Sequence, residues 1–210
     1  MNVQDLRDRI LEISHDEATP DSQLKNKALA WLNSAYHELV GECLPYLEPY
    51  LETVTTLDLS TGQANLPSDF SRVLTLVDSQ TGHVFKQVTQ KEGVSLTAQK
   101  GANGDDVFWI SGQQLYTLKT CDAPVQMVYL KQVPVLTDQS TEQDIILPVA
   151  FHHALVWGGL VWSSIFERGF STQSDLKLFQ QKWDEAKREV KLLLATDPLK
   201  DRRVQGYDPY

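Results

Sequence analysis

The 210-residue chain is 41% hydrophobic and 22% charged, enough apolar content to close one large domain or two smaller lobes. Its formal net charge of -9 and isoelectric point near 5.0 exclude a general nucleic-acid binder, because affinity for phosphates rests on clustered Lys and Arg. Cys43 and Cys121 stand far apart with no partner at metal spacing, so neither a disulfide framework nor a zinc site is indicated, and synthesis in a reducing cytoplasm fits.

The acid excess lies at the N-terminal end: residues 1–60 hold 11 acids and 4 bases, 61–147 hold 9 and 6, and 148–210 hold 8 and 9. MNVQDLRDRILEI carries Asp5, Arg7, Asp8 and Arg9 and no sustained apolar run, so it does not read as a secretory signal. Val3, Leu6, Ile10 and Ile13 recur at helical spacing and predict an amphipathic helix over 3–14. A second helix follows, capped by Asp21 or Ser22, with Leu24, Ala28, Trp31, Leu32, Ala35, Tyr36 and Leu39 on one broad face. Gly41, Pro45 and Pro49 are expected to close it.

From about residue 51 the period falls to two. Segments 51–59, 72–79, 83–90, 106–111, 114–119 and 125–133 read as strands, separated by turn-compatible TG, ANGDD, SG and CDAP, while KEGVSLTAQKG fits either class. After the polar stretch TDQSTEQD helical periodicity returns near Pro148 and continues to about 168. There Ala150, Ala154 and Gly158 recur every fourth residue and predict a shallow groove for a close backbone, flanked by Leu155, Trp162 and Phe166. The uninterrupted apolar run Ala154–Trp162 is nine residues, whereas a membrane span needs roughly 20, so no membrane anchor is expected. A last helix starts near 171–174, with Leu176, Phe179, Trp183, Ala186, Val190 and Leu193 on one face and an Asp184–Arg188 pair on the other. The expected fold is α+β: a bundle from 1–48 and 147–196, an inserted antiparallel β domain over 49–146, and an extended C-terminal arm over 197–210.

Catalytic signatures are missing: no GxSxG elbow, phosphate loop, dinucleotide glycine motif, HExxH or CxxC pair occurs. His152 and His153 are adjacent on a helix, point about 100° apart and cannot bind one metal together. Asp105 and Asp106 follow Ala-Asn-Gly, which is turn chemistry. Trp109, Tyr116 and Tyr129 sit inside strand alternation and read as cross-strand packing, with a ligand-binding or enzymatic site around them as the alternative. In the tail, Lys200, Arg202, Arg203, Tyr207 and Tyr210 are interface-type residues, and Asp197, Asp201 and Asp208 cancel their charge.

The order of these elements resembles the head-to-tail adaptor, or connector, proteins of tailed bacteriophages, especially podovirus-like adaptors whose helical bundle is interrupted by a β region. The resemblance is carried by LRDRILEI, AWLNSAYHEL, TLDLSTGQANLPSDFSRVLTLVDS, the WISGQQLYTLK to VQMVYLKQVPVLT hairpin and ILPVAFHHALVWGGLVWSSIFERG, and spans almost all of 1–196. Its most distinctive phrases are Leu66-Pro67-Ser68-Asp69-Phe70-Ser71-Arg72-Val73-Leu74 and Leu147-Pro148 through Val156. The resemblance implies a virion structural protein made in the host cytoplasm and placed at the head–tail junction, not an enzyme, with no catalytic residue, cofactor or metal. It implies a homo-oligomeric ring, a dodecamer, beneath the portal protein, with a tail or nozzle protein on the far side and DNA passing through without specific binding. It further implies that the C-terminal arm reaches the portal, which makes Arg202, Arg203, Tyr207 and Tyr210 the candidate portal-interface residues. A head-closure or tail-completion protein is the nearest alternative.

Overall fold

A computed structural model describes residues 1–14, 22–98, 106–166 and 173–195. Five helices and seven strands follow in chain order: α1 (Val3–Ser14), α2 (Ser22–Leu51), β1 (Glu52–Leu57), β2 (Gln63–Asn65), β3 (Phe70–Asp78), β4 (Lys86–Gln87), α3 (Gln90–Ala98), β5 (Val107–Ser111), β6 (Gln114–Thr117), β7 (Val125–Lys131), α4 (Ala154–Phe166) and α5 (Gln173–Ala195). Two 3-10 turns, Glu142–Asp144 and Val149–Phe151, precede α4. The fold is α+β, and its described residues divide into two compact units, 51–132 and the remainder.

The helical unit has one core, built from Leu6 and Ile10 of α1, Leu32, Ala35, Tyr36 and Leu39 of α2, Leu155 and Leu160 of α4, and Trp183 and Val190 of α5. α1 buries Leu11 where the spacing had placed Ile13, which is 39% exposed. On α5 the buried series is Trp183, Ala186, Val190 and Leu194, and Leu193 faces outward at 55% exposure.

The expected end of α2 is overturned, since the helix continues through Gly41, Pro45 and Pro49 to Leu51. These three breakers are spaced by four, so they share one face, and all are exposed. Each proline deletes a bond to the carbonyl four residues earlier, here that of Gly41 or Pro45, and on the solvent side water can serve those carbonyls. The buried side of the same turns, with Cys43 and Leu47, is undisturbed.

Residues 133–146, which alternation had attached to the sheet region, pack with the helices. Leu136 and Ile145 join the helical core. The Asn33 side chain holds this segment by mimicking a strand neighbour: its Nδ2 donates to Leu136 O and its Oδ1 accepts from Leu136 N, both at 2.8 Å.

The β unit contains two sheets, one ordered β1-β7-β3 and the other β2-β6-β5-β4. All strand pairs are antiparallel except β4–β5, which is parallel. β5 and β6 form a hairpin, but β6 does not pair with β7, so the hairpin expected from WISGQQLYTLK to VQMVYLKQV is split between the two sheets. The strand expected over 83–90 shrinks to Lys86–Gln87. It is cut short because Thr89 caps α3, accepting from Glu92 N at 3.3 Å while Glu92 Oε2 accepts from Thr89 N at 2.9 Å. The ambiguous KEGVSLTA is therefore helical, and Gly93 at its centre lets α3 lie on Trp109, where a Cβ would meet Cδ2 at 2.3 Å.

The phrase around Pro67 is a turn into β3. Pro67 O accepts from Phe70 N at 3.0 Å, Asp69 O accepts from Gln132 N at 2.7 Å, and the Asp69 carboxylate accepts from Tyr129 Oη at 2.9 Å. Leu66 and Val73 on either side bury into the sheet core.

Candidate functional site

The expected groove on α4 exists, with altered membership. Ala150 is exposed and lies outside it, while Ala154, Gly158 and Gly159 are buried. A Cβ on Gly158 would lie 2.6 Å from the Ala35 methyl and 3.0 Å from the Trp183 ring; one on Gly159 would lie 2.3 Å from Ile10 Cδ1. α1, α2 and α5 thus all approach the α4 backbone at two adjacent glycines. Phe166 stacks on Trp162 at 5.7 Å and remains 65% exposed. The window Val149–Phe166 is apolar enough by composition to cross a membrane, yet 61% of it is buried inside this fold.

Beside the groove lies a polar clasp that ties α5 to α2. Glu38 accepts from the indole nitrogens of Trp162 and Trp183, each at 3.2 Å, and from Lys187 Nζ at 3.0 Å. Glu42 accepts from Lys187 at 3.0 Å and Lys191 at 2.6 Å, and Lys187 also lies 5.4 Å from the centre of the Trp183 ring. The hydrogen bond from Lys191 is the largest influence on Glu42 and holds it below the ordinary carboxylate range against partial burial, with Lys187 adding to it. For Lys187, burial works against the charge, but hydrogen bonds and attraction from Glu38 and Glu42 outweigh it and raise the ammonium above its usual value. The clasp fixes α5 against α2. A sequence signal for it exists in the matching i,i+4 spacing of Glu38–Glu42 and Lys187–Lys191, but nothing local says that the two helices are neighbours. The expected Asp184–Arg188 pair takes another form: Arg188 Nε donates to the Asp184 main-chain oxygen at 3.2 Å, and the Asp184 carboxylate lies 3.7 Å from Lys187.

The remaining candidates are dispersed. His152 is buried, with Nε2 2.9 Å from Leu147 O and Nδ1 3.4 Å from Met1 O, whereas His153 is exposed. Asp106 is mostly buried and pairs with His83 at 3.1 Å and Lys119 at 3.8 Å, so it is a contact residue instead of a solvated turn residue; Asp105 lies outside the described residues. Trp109 stacks on Tyr116 at 5.7 Å across the β5–β6 pair, and Tyr129 belongs to the core between the sheets. The arm residues Arg202, Arg203, Tyr207 and Tyr210 also lie outside the described residues.

Chemically, the helical unit offers a close-packed α4 and a charged clasp in which Glu38 and Glu42 of α2 hold Lys187 and Lys191 of α5. The sequence pattern of the SU10 adaptor protein family matches residues 1–205, which takes in both units. No curated protein matches the chain. With a match over nearly its whole length, and an α+β fold that places the family-like phrases at the β3 turn and at the entry to α4, the chain belongs to the SU10 adaptor protein family of phage head-to-tail adaptors.

Proposed function

We propose that this phage adaptor assembles as a homo-oligomeric ring, a dodecamer, beneath the portal, where it joins the DNA-filled head to the tail and continues the DNA channel. The observation that carries this reading is the family match over 1–205, which covers both folded units and enters the arm. The proposed portal contact is the arm, 197–210, with Arg202, Arg203, Tyr207 and Tyr210 as its anchors. The clasp supports that placement: a helix held by Glu38 and Glu42 gives a polar segment beyond Ala195 a defined point of departure. The arm's arginines and tyrosines are residue types enriched where proteins dock on one another. The net charge of -9 suits a lumen through which a polyanion slides without adhering.

Mixing the purified chain with portal rings and examining the product by electron microscopy tests the reading. One added ring per portal is expected. Portals that acquire no ring overturn it, and a ring that forms equally well without residues 197–210 overturns the arm assignment. A ring whose channel is lined by a continuous Lys/Arg belt contradicts the electrostatic part.

A further inference from the structure

Strand β1 ends its sheet with β7 as its only neighbour among the described residues. The parity of the ladder identifies which of its main-chain groups are unspent. At the two ends of β7, Gln132 N donates to Asp69 O at 2.7 Å and Pro124 O accepts from Ser79 N at 3.3 Å, so even-numbered residues of β7 turn their polar groups toward β3. Val125, Met127 and Tyr129 therefore turn toward β1, opposite Leu57, Thr55 and Thr53. Leu59 O, accepting from Cys121 N at 3.1 Å, continues the same parity. The N–H and C=O groups of Val54 and Thr56 accordingly point away from the sheet. Both residues are exposed, Val54 by 60%.

Natural sheets defend their edges with breaks, short strands, prolines or lysines. The other edges here follow that rule. β3 has register breaks at Phe70/Arg72 and Val73/Thr75 and is bridged at Val77 by Val84, β2 has three residues and β4 two. β1 is six residues of Glu-Thr-Val-Thr-Thr-Leu in unbroken register, with no proline or lysine.

We propose that β1 pairs antiparallel with β1 of a second copy, Val54 opposite its own counterpart, joining two three-stranded sheets into one. In that register Glu52 faces Thr56 and Thr53 faces Thr55, so no like charges oppose, the outward groups of Val54 and Thr56 are met, and Val54 gains an apolar neighbour. Sliding the pair one step toward the C-terminus sets Glu52 against Asp58 of the second copy, and sliding it the other way leaves Thr56 beyond the partner strand. Pairing of identical edges is two-fold and closes at a dimer. It is therefore the contact of the free protein, distinct from the ring contacts proposed above, and does not rest on them.

Light scattering over a concentration series of the full chain is expected to show the mass rising from 23.8 kDa toward twice that value. Val54→Pro removes an outward N–H and leaves the β7 ladder intact, and Val54→Lys sets two ammonium groups face to face; each is expected to raise the dissociation constant at least about tenfold with the circular dichroism spectrum unchanged. Under oxidised glutathione, Val54→Cys is expected to cross-link into a dimer, because directly paired α-carbons about 5.5 Å apart suit a disulfide, while Thr56→Cys, facing Glu52, is not. A chain that stays monomeric at every concentration, or Thr56→Cys cross-linking as fast as Val54→Cys, overturns the proposal. A monomer that still forms rings on portals removes this dimer alone, and a dimer that never forms rings removes only the ring.

Discussion

Gly158 of α4 and Ala35 of α2 meet so closely that a methyl group on the glycine would lie 2.6 Å from the alanine Cβ. Neither neighbour can move aside cheaply, since Ala35 has no rotamer and the Trp183 ring is 1% exposed. Gly158→Ala is therefore expected to lower unfolding free energy by about 1–3 kcal/mol despite the better helix propensity of alanine. Gly41 lies in a helix too, yet a Cβ there meets nothing within 4 Å, and Gly41→Ala is expected to stabilise by roughly 0.5–1 kcal/mol. Opposite signs for the two variants in denaturant melts check the assignment.

The Thr117 hydroxyl is buried in β6 and has no hydrogen-bond partner among the described residues. A valine there keeps the shape and removes the unmet polar atom. Thr117→Val is expected to raise stability by about 1 kcal/mol, a melting-temperature gain of roughly 2–4 °C for a chain of this size. A fall in melting temperature would show that the hydroxyl is satisfied.

Tyr36 is fully buried, its oxygen accepts from Ile146 N at 3.2 Å, and burial pushes its phenol up to about 12 from 10.0. The folded state thus keeps a proton that the unfolded chain loses. Its contribution to stability is fully present below pH 10 and is lost as pH rises from 10 toward 12. Phenolate absorbance should show a late-titrating component to which Tyr36 contributes, reduced by one tyrosine in Tyr36→Phe, while Tyr129, raised by burial and its hydrogen bond to Asp69, remains. That variant is expected to cost about 1–2 kcal/mol at neutral pH through the unpaired Ile146 N–H.

Glu42 runs in the other direction. Its carboxyl is held down by Lys191 first and Lys187 second, so the stability it lends is present above its ordinary value of 4.5 and fades as pH falls below that. Replacing it in Glu42→Gln should flatten the acid limb of a stability-versus-pH curve and, because Glu42 also helps raise the Lys187 ammonium above 10.5, should lessen the loss on the alkaline limb as well. An unaltered acid limb would mean that the clasp does not contribute.

Much of this fold is written in periodicity. Leu6 and Ile10, Leu32 through Leu39, and Trp183 through Val190 are legible as faces because each helix buries one stripe, and the glycines of α4 are legible because two such residues inside a helix cost stability unless something packs on them. The misreadings share a cause. Pro45 and Pro49 break helices only where the lost hydrogen bond is also lost to water, and their exposure is a tertiary fact. Residues 83–90 look like a strand, and although the Thr89–Glu92 capping box three residues apart is a local sign against it, the fit of Gly93 on Trp109 that settles the segment is a contact alternation cannot show. Asn33 reaches Leu136 and Glu38 reaches Lys187 across more than a hundred residues, beyond any local pattern.

The chain between His83 and Val88 stitches one sheet to the other. His83 O accepts from Asp78 N and Phe85 N donates to Leu76 O on the β3 side, while Lys86 N and Val88 N donate to Asp106 O and Phe108 O on the β5 side. Neither sheet can open its facing edge without tearing a seam that belongs equally to its neighbour. Amide protons of β3 and β5 should therefore exchange with deuterium at a common opening energy, as one cooperative block, even though these strands never lie side by side.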